Sequence, residues 1–263
     1  AEIERNKRAV IFAEHGDLEP AAQFAAAENR ASIEAPFVYY SSCNEDYLDR
    51  FGEALVRALD TIGSRTVYHF HVIDPSPAIG AKIAGLQASS RLLDLRLSTE
   101  TYRHARTGYG RATFYACGRL LRLPEIIAHY QRDVMMWDMD IAAVHGIDRL
   151  IAAMQGYDLG YFEMKGLRLP LICHLATAYF ANTPVSRRCA DLVACYTALK
   201  LQYAPYWSLD QASLFCVSRY LKMTGGMRIN DFSMMPGGKF EDYVEVAATA
   251  AEKQGMRKLA RPR

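Results

Sequence analysis

Short apolar runs, rich in aromatic and β-branched residues, alternate along the chain with longer segments in which apolar residues recur at helical spacing. The short runs predict strands at 37–42, 67–73, 92–97, 134–140, 160–162 and 178–182. The longer segments predict helices at about 48–59, 112–130 and 186–201, with further helices opening at 147 and 207. This strand–helix–strand rhythm predicts an α/β fold with a mostly parallel sheet flanked by helices.

The first 35 residues follow a different pattern. They are dense in alanine, and their apolar residues lie at roughly helical spacing on both sides of a break. At the break, Gly16 suits the end of one helix and Asp17 the cap of the next. We therefore expect an N-terminal helical hairpin over 1–35 and a larger α/β domain over 36–263. The hairpin is expected to be either the last unit of a helical repeat array or a cap on the larger domain.

Composition places the chain among ordinary globular proteins. Its 263 residues are 51% hydrophobic and 23% charged, with a net charge of +2. The six cysteines contain no C-x-x-C pair, no stretch is long and apolar enough to cross a bilayer, and no signal peptide opens the chain, so we expect a cytoplasmic protein. There is no G-x-G-x-x-G and no Walker A loop, so no motif indicates NAD or ATP.

An acidic pair marks the strongest candidate site. The apolar run that ends at Trp137 is followed by Asp138 and Asp140, and the chain then turns apolar again. At the C-terminal end of a buried parallel strand, the two carboxylates are expected to face one point and to bind Mg²⁺ or Mn²⁺. A D-x-D triplet is also common in solvated loops. A strand followed by D-x-D also begins the haloacid dehalogenase phosphatases, but these need Thr or Gly after the second Asp, where this chain has Ile141.

Four motifs follow one another in an order that is typical of one enzyme family. They are Y-x-x-x-R-L at 115–120, D-M-D at 138–140, F-A-N at 180–182 and W-S-L-D-Q at 207–211. From about Phe37 to about Phe240 the chain resembles the GT-A nucleotide-diphospho-sugar glycosyltransferases, in particular the retaining family 8 type, which includes glycogenin and bacterial lipopolysaccharide galactosyltransferases. The resemblance implies a GT-A (Rossmann-like) mixed, mostly parallel sheet.

The resemblance also implies an activity. It is the metal-dependent transfer of a sugar, with retention, from a nucleotide-sugar (a UDP-sugar) to a saccharide or lipid-linked acceptor, as in bacterial polysaccharide or lipopolysaccharide biosynthesis. The resemblance assigns nucleotide binding to the loop after the first strand, at Ser42, Asn44, Asp46 and Tyr47. Asn44 and Asp46 would bond uracil or ribose, and Tyr47 would stack on the base. The alternative for Tyr47 is an aromatic residue at the helix start that packs on the sheet.

Further roles follow from the same resemblance. Arg119 would reach the phosphate or sugar of the donor, with Arg122 as its rival one turn later. Asp138 and Asp140 would bind Mn²⁺ or Mg²⁺ across the two phosphates, and Lys239 would also reach the phosphates.

The donor sugar is assigned to two later motifs. The amide of Asn182 would lie against this sugar, Asp210 would bond its hydroxyls, and Gln211 would lie near its anomeric carbon. Asp210 also suits the N-cap of a helix.

One feature of the family is missing. Its third metal ligand comes from a C-terminal histidine motif, and no histidine follows His174 in this chain. The metal would therefore take Asn230, Asp231 or water as a further ligand.

Two other functional classes remain open at this point. One is a catalytically weak, sugar-nucleotide-binding scaffold protein, and the other is a metal-dependent phosphohydrolase that uses the same acidic pair.

The basic segment from Lys253 to Arg263 suggests a peripheral contact with the inner face of the membrane, since cationic helices bind anionic lipid. A solvated terminus is the alternative.

Overall fold

A computed structural model of the chain describes residues 37–60, 65–101, 110–164, 166, 172–203, 206–235 and 238–246. The predicted hairpin over 1–35 and the basic segment beyond 253 lie outside the described residues.

Nine strands and six helices make up the described part, joined by two single-turn 3-10 helices. The strands are β1 Phe37–Asn44, β2 Thr66–Ile73, β3 Leu93–Glu100, β4 Asp133–Trp137, β5 Ile141–Val144, β6 Leu159–Glu163, β7 Cys173–Phe180, β8 Ile229–Asp231 and β9 Val244–Val246. The helices are α1 Glu45–Leu59, α2 Ile79–Ser89, α3 Gly110–Tyr130, α4 Ile147–Ala153, α5 Pro184–Tyr203 and α6 Leu209–Thr224. The 3-10 turns are Phe232–Met234 and Phe240–Asp242.

The main sheet has seven strands in the order β3-β2-β1-β4-β7-β6-β8. Strands β3, β2, β1 and β4 run parallel, and β8 is parallel to β6. Strand β7 is antiparallel to both of its neighbours, β4 and β6. The predicted mixed, mostly parallel sheet flanked by helices is therefore confirmed.

Helices cover both faces of this sheet, which explains the unbroken apolar runs of its central strands. All eight residues of β2 are buried. One face packs on the apolar sides of α1 and α2, and the other packs on α3, α5 and α6. Leu55 of α1 and Leu120 of α3 illustrate the two layers, since both are fully buried on opposite faces.

A small second sheet brings the end of the described chain back to the acidic pair. Strand β5 begins directly after Asp140 and pairs antiparallel with β9, with Ile141 opposite Val246. The ring of Phe240, just before β9, packs on that of His174 near the start of β7, with centroids 4.1 Å apart. Residues 238–246 therefore lie beside the edge of the sheet at which β4 ends.

All six cysteines are free thiols. Among the helices that the structure describes, none is both long and apolar enough to cross a bilayer.

Glu45, the first residue of α1, forms a clamp that links the start of this helix to the loop between β2 and α2. Its carboxylate accepts hydrogen bonds from the Ser76 backbone N–H and, at 2.7 Å, from the Ser76 hydroxyl, and it lies 2.6 Å from Lys82 Nζ. The hydrogen bonds from Lys82 and Ser76 lower the pKa of Glu45 from 4.5 to about 2. The clamp therefore ties the start of α1 to the segment that enters α2.

Replacing Glu45 by Gln is expected to change how stability depends on pH. Because the folded-state pKa is depressed, the ionised carboxylate stabilises the fold above pH 4.5, and this contribution is lost as the pH falls toward about 2. Urea unfolding near pH 6 should show Glu45→Gln to be less stable than the parent, and the difference should shrink near pH 3.

Glu53→Gln on the same helix is the matched control, because the Glu53–Arg57 pair is exposed and exposed pairs contribute little. A difference for Glu45→Gln that stays constant between the two pH values would contradict the clamp.

Candidate active site

The carboxyl ends of four parallel strands meet at one edge of the sheet. Strand β1 ends at Asn44, β2 at Ile73, β3 at Glu100 and β4 at Trp137. In open α/β sheets, ligands bind at this edge. Asp138 and Asp140 follow β4 there, as the sequence predicted.

Asp138 and Asp140 do not continue the strand. Strand β4 ends at Trp137, and residues 139–140 form a turn that leads into β5. The predicted strand over 134–140 is therefore wrong at its C-terminal end, which lies at Trp137, while the convergence of the two carboxylates on one metal ion stays a prediction. The side chain of Asp138 is 39% exposed, whereas Asp140 is buried.

A buried arginine, Arg119, connects two other predicted residues that lie far apart in the sequence. Arg119 Nη1 on α3 donates to Asp138 Oδ1 after β4, and Arg119 Nη2 donates to Asp210 Oδ2 at the start of α6, at 2.7 Å. Arg119 and Asp210 are only 5% and 6% exposed. We call this group the Arg119 bridge (Arg119, Asp138 and Asp210). The Cys117 thiol, two residues before Arg119, also lies against the backbone N–H of Asp210.

The charges of the Arg119 bridge stabilise one another. Burial lowers the pKa of Arg119, but the carboxylates of Asp138 and Asp210 outweigh it and raise the pKa above its usual value. Two carboxylates, those of Asp138 and Asp210, share this one guanidinium. The formal charge of the site is therefore negative, which favours a cation.

Arg122 was the alternative to Arg119 for contact with the donor, but its guanidinium binds a different carboxylate. Its Nε donates to Glu100 Oε2 at 2.6 Å, and its Nη2 donates to the same oxygen. Glu100 ends β3 and also lies 3.6 Å from His71 Nε2. Arg119 and Arg122 on α3 thus bind at the ends of different strands, and Arg119 is the one that contacts Asp138.

Asp138 and Asp140 are the predicted metal ligands at this edge. Their oxygen atoms suit Mg²⁺ or Mn²⁺, which usually keep several waters and take phosphate oxygens as further ligands. Residues 37–246, where described, contain no group of three or more His, Cys, Asp or Glu side chains able to hold a metal. A divalent ion therefore fits this site by donor chemistry only if water or a bound phosphate completes its shell.

The two residues considered as further ligands have structural roles. Asp231 accepts from the backbone N–H groups of Glu163 and Ser233 and from the Ser233 hydroxyl. Asn230 donates to the carbonyl of Ala153 at 2.6 Å. These bonds fix β8 and the 3-10 turn that follows, so both side chains already have structural partners.

The predicted nucleotide contacts lie at the end of β1 and in the first turn of α1, which follows it without a loop. Asn44 caps α1, its Oδ1 accepting from the Tyr47 backbone N–H at 3.3 Å. Asp46 is exposed in the first turn of α1, and Tyr47 is half-buried, with its ring 5.2 Å from that of Phe51. This packing agrees with the alternative role expected for Tyr47, while stacking of its ring on the base stays a prediction.

Ser42 faces α3 rather than the loop. Its Oγ is buried and has no hydrogen-bond partner among the described residues. A Cβ on Gly118 would lie 2.7 Å from this oxygen and 2.6 Å from Ile73 Cδ1. The glycine thus permits the close contact of α3 with β1 and β2 that sets the position of Arg119.

Asn182 lies at the opposite edge of the sheet. Because β7 runs antiparallel to β4, its end meets the beginning of β4. The Asn182 backbone N–H donates to Asp133 Oδ1 at 2.6 Å, and its side-chain Oδ1 accepts from Arg187. This placement separates Asn182 from the Arg119 bridge and leaves it in a structural network.

The last two predicted residues, Gln211 and Lys239, lie toward the edge of the sheet at which β4 ends. Gln211 follows Asp210 in the first turn of α6 and is partly exposed. Lys239 is exposed and directly precedes Phe240, whose ring packs on His174 near the start of β7. Because β7 is antiparallel, its start lies at the edge where β4 ends.

Comparison with known proteins identifies the fold. No protein-family model and no curated protein matches the chain. Among solved structures, the chain is similar to the apo structure of the bifunctional glycosyltransferase WbbM, with 14% identity and a TM-score of 0.51 over 88% of this chain and 46% of that one. It is also similar to the glycosyltransferase GlyE of Streptococcus pneumoniae TIGR4, with 11% identity and a TM-score of 0.48 over 76% and 46%.

A third similar structure is the galactosyltransferase LgtC in complex with donor and acceptor sugar analogues, with 13% identity and a TM-score of 0.48 over 74% and 72%. The chain spans less than half the length of WbbM and of GlyE. The similarity to WbbM establishes the fold, and the predicted GT-A architecture is confirmed.

Replacing Gly118 by Ala is expected to displace α3. The new methyl group would meet Ser42 and Ile73 well inside contact distance, and overpacking of this kind costs about 1–3 kcal/mol. Urea unfolding measures the loss of stability.

Gly85→Ala in α2 is the matched control, since nothing lies within 4 Å of its new methyl group. This control should stabilise the protein by about 0.5–1 kcal/mol, because glycine is unfavourable inside a helix. If both variants stabilise the protein, the close approach of α3 to the sheet does not exist.

Proposed function

We propose that this protein is a metal-dependent retaining glycosyltransferase, which transfers a sugar from a nucleotide-sugar, specifically a UDP-sugar, to a saccharide or lipid-linked acceptor. The observation that carries the proposal is the Arg119 bridge. It joins the D-x-D after β4 to the D-Q at the start of α6 through one buried guanidinium. The GT-A fold supports the same function.

The leaving group determines what the site must stabilise. When the bond from the anomeric carbon to the diphosphate breaks, negative charge grows on the leaving oxygen and positive charge on the sugar. A divalent ion bound at Asp138 and Asp140 would offset the charge of the diphosphate. Arg119 supplies a fixed positive charge beside it, and its buried Nε–H has no hydrogen-bond partner among the described residues. A bound donor would satisfy such a group.

Retention is favoured by the state of the acids. Inversion needs a carboxylate base near the acceptor hydroxyl. Asp138 and Asp210 both accept hydrogen bonds from Arg119, so each already has an oxygen engaged by the guanidinium. In the retaining reaction, the bond from the anomeric carbon to the acceptor oxygen forms on the face that the leaving phosphate vacates. The proton of the acceptor hydroxyl passes to a phosphate oxygen.

The nucleotide is assigned to the junction of β1 and α1, where Asn44 and Asp46 lie at the C-terminal edge of the sheet next to β4. Asp46 is exposed and offers its carboxylate to ribose hydroxyls. In this proposal the exposed Lys239 contacts the diphosphate. Asn182 has no part in this proposal, because it lies at the far edge.

Thermal shift with UDP, GDP and ADP, each with and without Mn²⁺, tests the donor site. A ligand that binds only the folded protein stabilises it by about 2.7 kcal/mol at a hundredfold excess over its Kd. We expect UDP with Mn²⁺ to raise the Tm, and Asp138→Asn or Asp140→Asn to abolish the rise. Asp148→Asn, an exposed acid on α4, is the control and should retain it.

Release of UDP from UDP-sugars then tests turnover, and the anomeric configuration of the product, determined by proton NMR, tests retention. If none of the three nucleotides raises the Tm, the glycosyltransferase proposal fails. A scaffold protein without a nucleotide site would then be the better explanation of the fold.

A further inference from the structure

Two adjacent aromatic side chains stand exposed just before the D-Q motif. Tyr206 is 38% exposed and Trp207 is 37% exposed. The other tryptophan of the chain, Trp137, is fully buried. No aromatic ring of the described residues stacks on Trp207. Adjacent exposed aromatic rings beside a site are the kind of surface that binds a partner or ligand.

The backbone holds these rings in a defined position. Ser208 has φ 68° and ψ 22°, the left-handed conformation that residues other than glycine rarely adopt. The Leu209 N–H donates to the Tyr206 carbonyl at 3.3 Å, and the Ala212 N–H donates to the Ser208 carbonyl at 3.1 Å. The turn therefore presents Tyr206 and Trp207 directly ahead of α6, at the cost of an unfavourable backbone angle.

The aromatic pair lies beside the Arg119 bridge. Burial raises the pKa of Tyr206, and the nearby Cys216, Cys117 and Asp210 raise it further, so its phenol lies within the field of Asp210. Helix α6 packs against one face of the sheet, where its apolar residues contact those of β7. Strand β7 is next to β4 on the side away from β1. The pair thus lies at the end of the site that is opposite to the nucleotide loop.

We propose that Tyr206 and Trp207 form the binding platform for a neutral pyranose ring of the acceptor, an inference that rests on the function proposed above. The C–H face of a pyranose is apolar and suits an aromatic surface, whereas its hydroxyls need polar partners at the rim. The segment from Tyr206 to Leu209 carries no charge, which fits a neutral sugar better than a phosphorylated or acidic one. A ring seated there would present a hydroxyl toward the donor sugar at Asp210.

The two tryptophans allow a direct test. Protein labelled with 5-fluorotryptophan should give two fluorine NMR resonances, which Trp207→Phe assigns. The probes are the methyl glycosides of glucose, galactose, mannose and N-acetylglucosamine, added with UDP and Mn²⁺. We expect at least one to shift the Trp207 resonance in a saturable way, while the Trp137 resonance stays in place. If none of the four shifts the Trp207 resonance, the proposal is overturned.

A second arm separates a free saccharide from a lipid-linked one. The octyl glycoside of the same sugar is titrated below its critical micelle concentration. Equal Kd values for the methyl and octyl glycosides indicate a platform for the sugar alone. A lower Kd for the octyl glycoside indicates a lipid-linked acceptor. Both results require the pyranose to contact Trp207.

Kinetics distinguish an acceptor platform from a structural role. Trp207→Ala should raise the acceptor KM by about tenfold or more, with less than about a twofold change in the donor KM. Tyr220→Ala removes another exposed aromatic residue, farther along α6 and 46% exposed; it is the matched control and should change neither KM. If Trp207→Ala raises both KM values alike, the residue only supports the helix start and the proposal is overturned.

The outcomes also distinguish failure of the acceptor platform from failure of the proposed function. If UDP with Mn²⁺ raises the Tm but Trp207 responds to no sugar, only the acceptor platform fails. If no nucleotide raises the Tm, the proposed function fails first.

Discussion

A buried guanidinium must be paired with carboxylates, and this requirement fixes the geometry of the site. Arg119 contacts Asp138 after β4 and Asp210 on α6, so one side chain sets the spacing between two elements far apart in sequence. A buried charge that loses one partner is strongly destabilising. The interaction that assembles the candidate active site therefore also helps to hold the sheet, α3 and α6 together.

Close packing of α3 makes this pairing possible. Gly118 brings the helix against Ser42 and Ile73, and the next residue then reaches the edge of the sheet. One turn later, Arg122 pairs with Glu100 at the end of β3. Two arginines, three positions apart on one helix, thus bind the carboxyl ends of two different strands, which fixes α3 both along its axis and about it.

The sequence predicted the parts of the structure that depend on local patterns. Apolar runs located most strands, and the order of the motifs indicated Arg119, Asp138 and Asp210 before any of them was seen to meet. The sequence could not predict that β7 runs antiparallel to β4, because an apolar run has the same pattern in parallel and antiparallel strands. Asn182, which follows β7, was therefore expected at the wrong edge of the sheet. The Glu45 clamp was missed because its partners, Ser76 and Lys82, lie in no motif, although Glu in the first turn of a helix is a recognisable signal. The turn at Asp140 was missed because the apolar residues on both sides suggested one continuous strand.

The shared role of the Arg119 bridge has an evolutionary consequence. A lineage that substituted Arg119, Asp138 or Asp210 alone would lose folding stability as well as chemistry, so selection for a folded chain protects all three. We therefore expect the three positions to covary among descendants of this protein, by concerted replacement rather than by gradual drift. Gln211 is partly exposed and Lys239 is exposed, so substitutions there can alter the reaction without this loss of stability, while the Arg119 bridge is inherited as a unit.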